Sequence, residues 1–229
     1  MTPRSAPTLE RERTLLTQAK TVVGMDEVGR GALAGPVCVG AVAVNAATPA
    51  PPRGLDDSKA LTPTERTRLA PLVSAWAEAS ALGWASADEI DKTGLTSALR
   101  TAGWRALDQL ARAGIEAGDG IVLLDGSHDW LTPPQPTLEE ATNPDPTPQP
   151  DRRWRTVTLI GADRLAACVA AASVLAKCAR DAAMVQLAHT YPGYGWPRNK
   201  GYGTAEHRDA LQLLGPSPVH RLTWKLVEE

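Results

Sequence analysis

The stretch at residues 22–44, VVGMDEVGRGALAGPVCVGAVAV, decides the fold. Its two ends are runs of Val, Ala and Gly with strand character. Its middle breaks that pattern with two adjacent acids, Asp26 and Glu27, followed by the glycine-flanked arginine of Gly29-Arg30-Gly31. Two apolar runs around a glycine-rich turn predict a hairpin with strands at 21–28 and 37–44. Side chains alternate faces along a strand, so neighbouring carboxylates reach one site only where the strand ends or bends between them. Taken alone, the Gly-Arg-Gly segment reads as a tight hairpin turn with a solvated arginine.

Outward from the hairpin, PPRGLDDSKALTPTER contains a helix start, with Thr62 as N-cap, Pro63 in the first helical position and Glu65 three residues after the cap. That helix should reach about residue 78. A third strand is expected near 80–86, and Leu99, Leu107 and Leu110 give an amphipathic helix over 96–113. GIVLLDG reads as a buried central strand with Asp125 at its C-terminal end, where open α/β sheets place their ligands. WRTVTLI supplies a further strand. The alanine-rich run that follows Asp163 forms a long helix able to pack closely on the sheet, and a last helix starts near Thr204.

Length and composition suit one domain. The 229 residues are 43% hydrophobic and 22% charged, ordinary for a globular protein. No run of 18 apolar residues exists and the N-terminus lacks a signal-peptide pattern, so a cytoplasmic protein without a membrane segment is expected. Cys38, Cys168 and Cys178 show no C-x-x-C spacing and read as reduced core residues, and the four histidines have no zinc-site spacing. Net charge is −2, but residues 152–229 carry 11 Lys and Arg against 6 Asp and Glu, while the preceding part carries 13 against 20. A basic C-terminal third can supply phosphate contacts, although charge alone favours an ordinary solvated surface.

Three separate places put acids at the end of apolar elements: Asp26 with Glu27, Asp125, and Asp163. Acids that must stay ionised together call for hard cations, and magnesium or manganese is the natural partner of carboxylate oxygens. Each acid by itself is more often a turn or cap residue. Their combination with other blocks is more specific. GMDEVGRGALAGPV, DDSKALT, VLLDG, CVAAASVLAKCARD, NKGYGT and HRLTWK, spanning residues 24–225, resemble the successive motifs of the ribonuclease HII family in that family's order.

The resemblance implies an α/β ribonuclease H-like fold, a mixed central sheet flanked by helices, with a C-terminal helical and loop extension. Residues 1–20 are polar and charged and read as a frayed arm or short helix ahead of a catalytic domain, 21–229, and the 7 prolines between His128 and Arg152 read as a mobile insertion at 128–152, longer than the family's usual connection. The resemblance implies that Asp26, Glu27, Asp125 and Asp163 bind two divalent ions, Mg2+ or Mn2+, with the strand ending at Asp26 so that Glu27 turns toward the same metals. Gly29, Arg30 and Gly31 would read a ribose 2′-hydroxyl, and Tyr202 would pack on the adjoining sugar. Ser58 and Lys59 resemble phosphate contacts of the family, or cap their helix locally. Ser173, Lys177 and Arg180 recur on one helical face, which either meets phosphates or is solvated.

The implied activity is that of a monomeric endonuclease cutting the RNA strand of RNA/DNA hybrids and ribonucleotide-containing duplex DNA, leaving 5′-phosphate and 3′-hydroxyl ends. The alternative is a hybrid-binding module without catalysis, which should lack a metal ligand. The sister ribonuclease HIII carries a domain ahead of the catalytic one, for which the residues before Thr21 leave no room. The family usually has Lys-Gly-Asp where this sequence has Gly161-Ala162-Asp163, so Asp163 lacks that basic neighbour.

Overall fold

The computed structural model describes residues 6–133 and 154–226. The hairpin forms as expected from its two apolar runs. Strand β1 (Thr21–Val28) pairs antiparallel with β2 (Val37–Asn45), in register from Thr21 opposite Asn45 to Val28 opposite Cys38. β3 (Ala79–Ala85) adds antiparallel to β2, while β4 (Gly120–Asp125) and β5 (Arg155–Leu159) extend the other side in parallel, giving the order β3-β2-β1-β4-β5. The sheet is mixed and helices cover both faces.

One face is packed by helix α4 (Leu95–Arg112), whose Leu99, Ala102, Ala106 and Leu110 meet Val23, Met25, Val39, Ala41, Val122 and Leu124. The other takes α2 (Pro63–Trp76) and the long α5 (Ala167–Thr190), whose alanines lie against Val22, Val42, Val44 and Leu123. Each fully buried Leu or Val contributes roughly 1.5–3 kcal/mol. Small residues let α5 approach: a Cβ on Gly40 would collide with the Ala172 carbonyl. The capping box at the start of α2 is present, Thr62 accepting from the Glu65 amide and Glu65 accepting from the Thr62 amide.

Two elements differ from expectation and a third decides between two alternatives. Helix α3 (Ala87–Thr93), with its own Ser86/Glu89 capping box, follows β3 where no helix was expected. The segment 1–20, read as a frayed arm or short helix, takes the second form: α1 (Glu10–Leu15) is joined to the core by a bridge between Thr8 and Ala166 and by Glu12, whose carboxylate accepts the Cys168 amide at 2.7 Å. The proline-rich insertion, set at 128–152, begins too early: Trp130 and Leu131 are buried against α4, where Gly103 leaves room for them. Most of the remaining insertion lies outside the described residues.

The chain ends its described part with a single 3-10 turn, Ala162–Arg164, before α5, then the short α6 (Trp196–Asn199) and α7 (Ala205–Leu214), capped by Thr204. The residues after α7 fold back, and a bridge between Ala34 and His220 ties them to the loop after β1.

Candidate active site

The parallel ladder between β1 and β4 stops at Met25 opposite Leu124, whereas the antiparallel ladder to β2 continues through Asp26 and Glu27. The strand therefore does not end at Asp26, and the expectation that it does is corrected. Alternation puts Asp26 on the α5 face and Glu27 on the α4 face. Both sit where β1 has lost its β4 neighbour, and they flank the C-terminal end of β4, where Asp125 lies. Two opposite faces can thus serve one place because the sheet between them has run out.

Asp163, on the 3-10 turn, completes the group. Asp125 Oδ1 accepts the Ala162 amide at 2.7 Å, which fixes that turn against the end of β4. Lys59 Nζ stands 3.5 Å from Asp163 Oδ2, and Arg164 Nε bridges Asp57 at 3.6 Å and Asp163 at 3.9 Å. The basic neighbour missing before Asp163 is therefore supplied by Arg164 after it and by Lys59 across from it.

Burial raises the Asp26 carboxyl to about 7, and the Glu27 charge adds to the shift. Burial also raises Glu27, partly offset by Arg30, which donates to Glu27 Oε1 at 3.2 Å. Asp163 is raised by burial, then by the charges of Asp125 and Asp57. Burial opposes the Lys59 ammonium, yet Asp26, Asp57, Asp163 and Asp125 together push its pKa up. One lysine thus feels acids contributed by β1, β4, the 3-10 turn and the 56–59 loop.

Such acids, in excess over Arg30, Lys59 and Arg164, are an all-oxygen donor set suited to a hard divalent cation, which would relieve their mutual repulsion. The donor chemistry fits magnesium or manganese. Among the described residues, no three His, Cys, Asp or Glu side chains form a ready-made metal cage. Each carboxylate is instead held by a protein group: Asp26 Oδ1 by the Glu27 amide at 2.9 Å, and the others by the partners above.

The loop from Gly29 to Pro36 is held from beneath by two buried arginines. Arg221 donates to the carbonyls of Gly29 at 2.6 Å, Arg30 at 2.8 Å and Gly35 at 3.3 Å. Arg180 donates to Pro36 at 2.8 Å, Lys200 at 2.9 Å and Ala34 at 3.2 Å. A guanidinium presents several donors in a fixed fork, so each can bind several carbonyls at once. Gly29 has φ +93°, and a side chain there would collide with Arg180, so glycine is required. Gly31 has open space where its Cβ would be, and the amides of Arg30 and Gly31 have no acceptor among the described residues. Tyr202 lies alongside: its backbone bridges Ala32, and the Arg180 guanidinium sits 5.4 Å above its ring.

The Ser173, Lys177 and Arg180 repeat is not a single outward stripe. Ser173 is buried beside Asp26, whose charged form it favours, and its hydroxyl lies 2.7 Å from that of Ser58. Lys177 pairs with Asp181 at 2.6 Å. Arg180 is fully buried under the glycine loop, which corrects the expectation that it is solvated or meets phosphate directly. Helical spacing placed these residues on one side of α5 without showing what packs there. Arg221 lies within the HRLTWK block but carries no signal of its role until the fold brings residue 221 under residue 29. Arg66 anchors the 56–59 loop through the carbonyls of Ser58 at 2.8 Å and Leu61 at 2.6 Å.

The family model for Ribonuclease HII matches residues 23–227. A Ribonuclease HII of Streptomyces avermitilis is 41% identical over 221 residues, 96% of this chain and 84% of the relative. One from Thermus thermophilus is 44% identical over 200 residues, 87% of this chain and 84% of the relative. Among solved structures, the PCNA:RNase HII complex from Archaeoglobus fulgidus matches with a TM-score of 0.66 at 22% identity, covering 91% of this chain and 97% of that one. Bst-RNase HIII in complex with Mn2+ matches with a TM-score of 0.60 at 20% identity, covering 91% of this chain and 68% of that one. These structural likenesses show the ribonuclease H fold.

Proposed function

Because the chain belongs to the ribonuclease HII family, and is thus a metal-dependent endonuclease of ribonuclease H type, we propose that it cuts the RNA strand of RNA/DNA hybrids and duplex DNA 5′ of a single embedded ribonucleotide. Asp26, Glu27, Asp125 and Asp163 would hold two divalent ions, Mg2+ or Mn2+. Ions bound there would act as Lewis acids on the scissile phosphate and neutralise the charge that gathers on it. The products would carry 5′-phosphate and 3′-hydroxyl ends, with no covalent intermediate.

The protein's own groups supply position. Ser173 orients the Asp26 carboxylate, and Ser58 orients Ser173. Lys59, exposed at its tip, neutralises part of the acid cluster and can reach a substrate phosphate. The observation that carries the substrate reading is the glycine loop: its Gly29 and Arg30 carbonyls are turned inward onto Arg221, leaving the amides of Arg30 and Gly31 available beside Tyr202. Those amides suit a 2′-hydroxyl, the group that separates RNA from DNA, and the Tyr202 ring suits the adjoining sugar. Recognition on that basis needs one ribonucleotide.

The test is a labelled DNA duplex with one ribonucleotide, beside the same duplex with deoxyribose or 2′-O-methyl ribose at that position. The expected result is one cut on the 5′ side of the ribonucleotide and none in the two controls. Cutting of the deoxyribose duplex, or a need for several consecutive ribonucleotides, would overturn the reading.

A further inference from the structure

Beneath the loop that carries Tyr202 lies a buried pair of histidines, His207 on α7 and His220 in the segment after it, that no step above uses. The hydrogen bonds around them permit a single proton arrangement. The Tyr202 carbonyl, 3.0 Å from His207 Nδ1, can only accept, so Nδ1 carries a proton. The Trp196 indole N–H, 3.1 Å from His207 Nε2, can only donate, so Nε2 is bare. His220 Nε2 lies 3.1 Å from that same bare nitrogen and must bring the hydrogen between them. The Ser217 amide and hydroxyl, both at 2.8 Å, donate to His220 Nδ1. The two rings are therefore neutral and in opposite tautomers. Burial holds both imidazoles below their ordinary range, His220 at about 4, in keeping with neutral rings.

This chain of bonds runs one way, from Ser217 through His220 and His207 to the Tyr202 carbonyl. The next residue after His220 is Arg221, which holds the Gly29 and Arg30 carbonyls. His220 also bridges Ala34 in the same loop. We infer that His207 and His220 are a positioning pair that sets Tyr202 in register with the glycine loop, and so tunes selectivity for a lone ribonucleotide. The inference rests on the reading of Tyr202 given above. A long hybrid offers many registers and tolerates a displaced tyrosine, whereas one embedded ribonucleotide offers a single productive pose.

The test compares kcat/KM on a single-ribonucleotide duplex and on a long hybrid for wild type, Tyr202→Ala, His207→Phe and the double variant. Phenylalanine keeps a ring in place and deletes the bond to the Tyr202 carbonyl. The expected result is a several-fold drop in the ratio of the two activities for His207→Phe, in the direction of Tyr202→Ala, with the double variant no lower than Tyr202→Ala alone. Tyr202→Ala with an unchanged ratio would remove the reading of Tyr202. A lowered ratio for Tyr202→Ala with an unchanged one for His207→Phe would overturn the positioning pair while leaving that reading intact. If His207→Phe does not fold, histidine nitrogen NMR on the wild-type protein decides. His207 protonated at Nδ1 only and His220 at Nε2 only, at neutral pH, supports the pair, and any other arrangement overturns it.

Discussion

Asp26 holds its place against its own electrostatics. It is buried, neighbours Glu27 and feels Asp125, and its carboxyl is raised to about 7. A folded-state pKa above the unfolded value of about 3.9 means that the folded chain binds the proton more tightly. The stability that this proton contributes is fully present below about pH 4 and is lost as pH rises toward 7. In chelator at pH 8, Asp26→Asn should therefore melt a few °C above wild type, since the amide keeps a bond to Ser173 without the charge. Adding Mn2+ should raise the melting temperature of wild type more than that of the variant. An Asp26→Asn protein that melts below wild type at pH 8 in chelator would contradict this account. The four acids could be picked out in the sequence because each stands at the end or edge of an apolar element and the resemblance to one family groups them. The parts played by Arg180 and Arg221 were not, because a buried arginine that holds loop carbonyls has the same local pattern as a solvated one.

At the scale of elements, the site depends on how closely α5 lies on β1 and β2. Ala172 is the neighbour of Ser173, and its carbonyl fills the space where a Gly40 side chain would be. Gly40→Ala should therefore push α5 away from the sheet, cost about 1–3 kcal/mol by overpacking, and lower cleavage by loosening Ser173 from Asp26. Thermal melts with single-turnover rates check it, and a variant matching wild type in both would show that the contact carries little. Local signals made most elements readable: the hairpin by its two apolar runs, α2 by Thr62 and Glu65, α7 by Thr204. Helix α3 escaped because seven residues are too few to show a period, although Ser86 and Glu89 form its capping box. The start of the proline-rich insertion was misplaced because prolines mark a loop without marking where the core stops, and Trp130 and Leu131 still belong to the core.

For the whole molecule, residues 26 and 27, 125 and 163 come to the same end of the sheet because β4 returns parallel to β1 and the 3-10 turn is tied to its end through Asp125. Periodicity suggested a sheet with acids at strand ends, but it carried neither the strand order nor the convergence. The resemblance of six spaced blocks to one family supplied the expected fold. Among the described residues no helix is long and apolar enough to cross a membrane. The central claim is that the four acids act as one centre on the scissile phosphate. The most direct test is single-turnover cleavage of the single-ribonucleotide duplex by Asp26→Asn, Glu27→Gln, Asp125→Asn, Asp163→Asn and the double Asp26→Asn/Asp125→Asn variant, at saturating Mn2+. Groups that work as a unit are strongly non-additive. Each single change should slow cleavage by about 100-fold or more, and the double should fall far short of the product of its two singles. Wild-type cleavage by any one of the four single variants, or full multiplication of the two effects in the double, would contradict it.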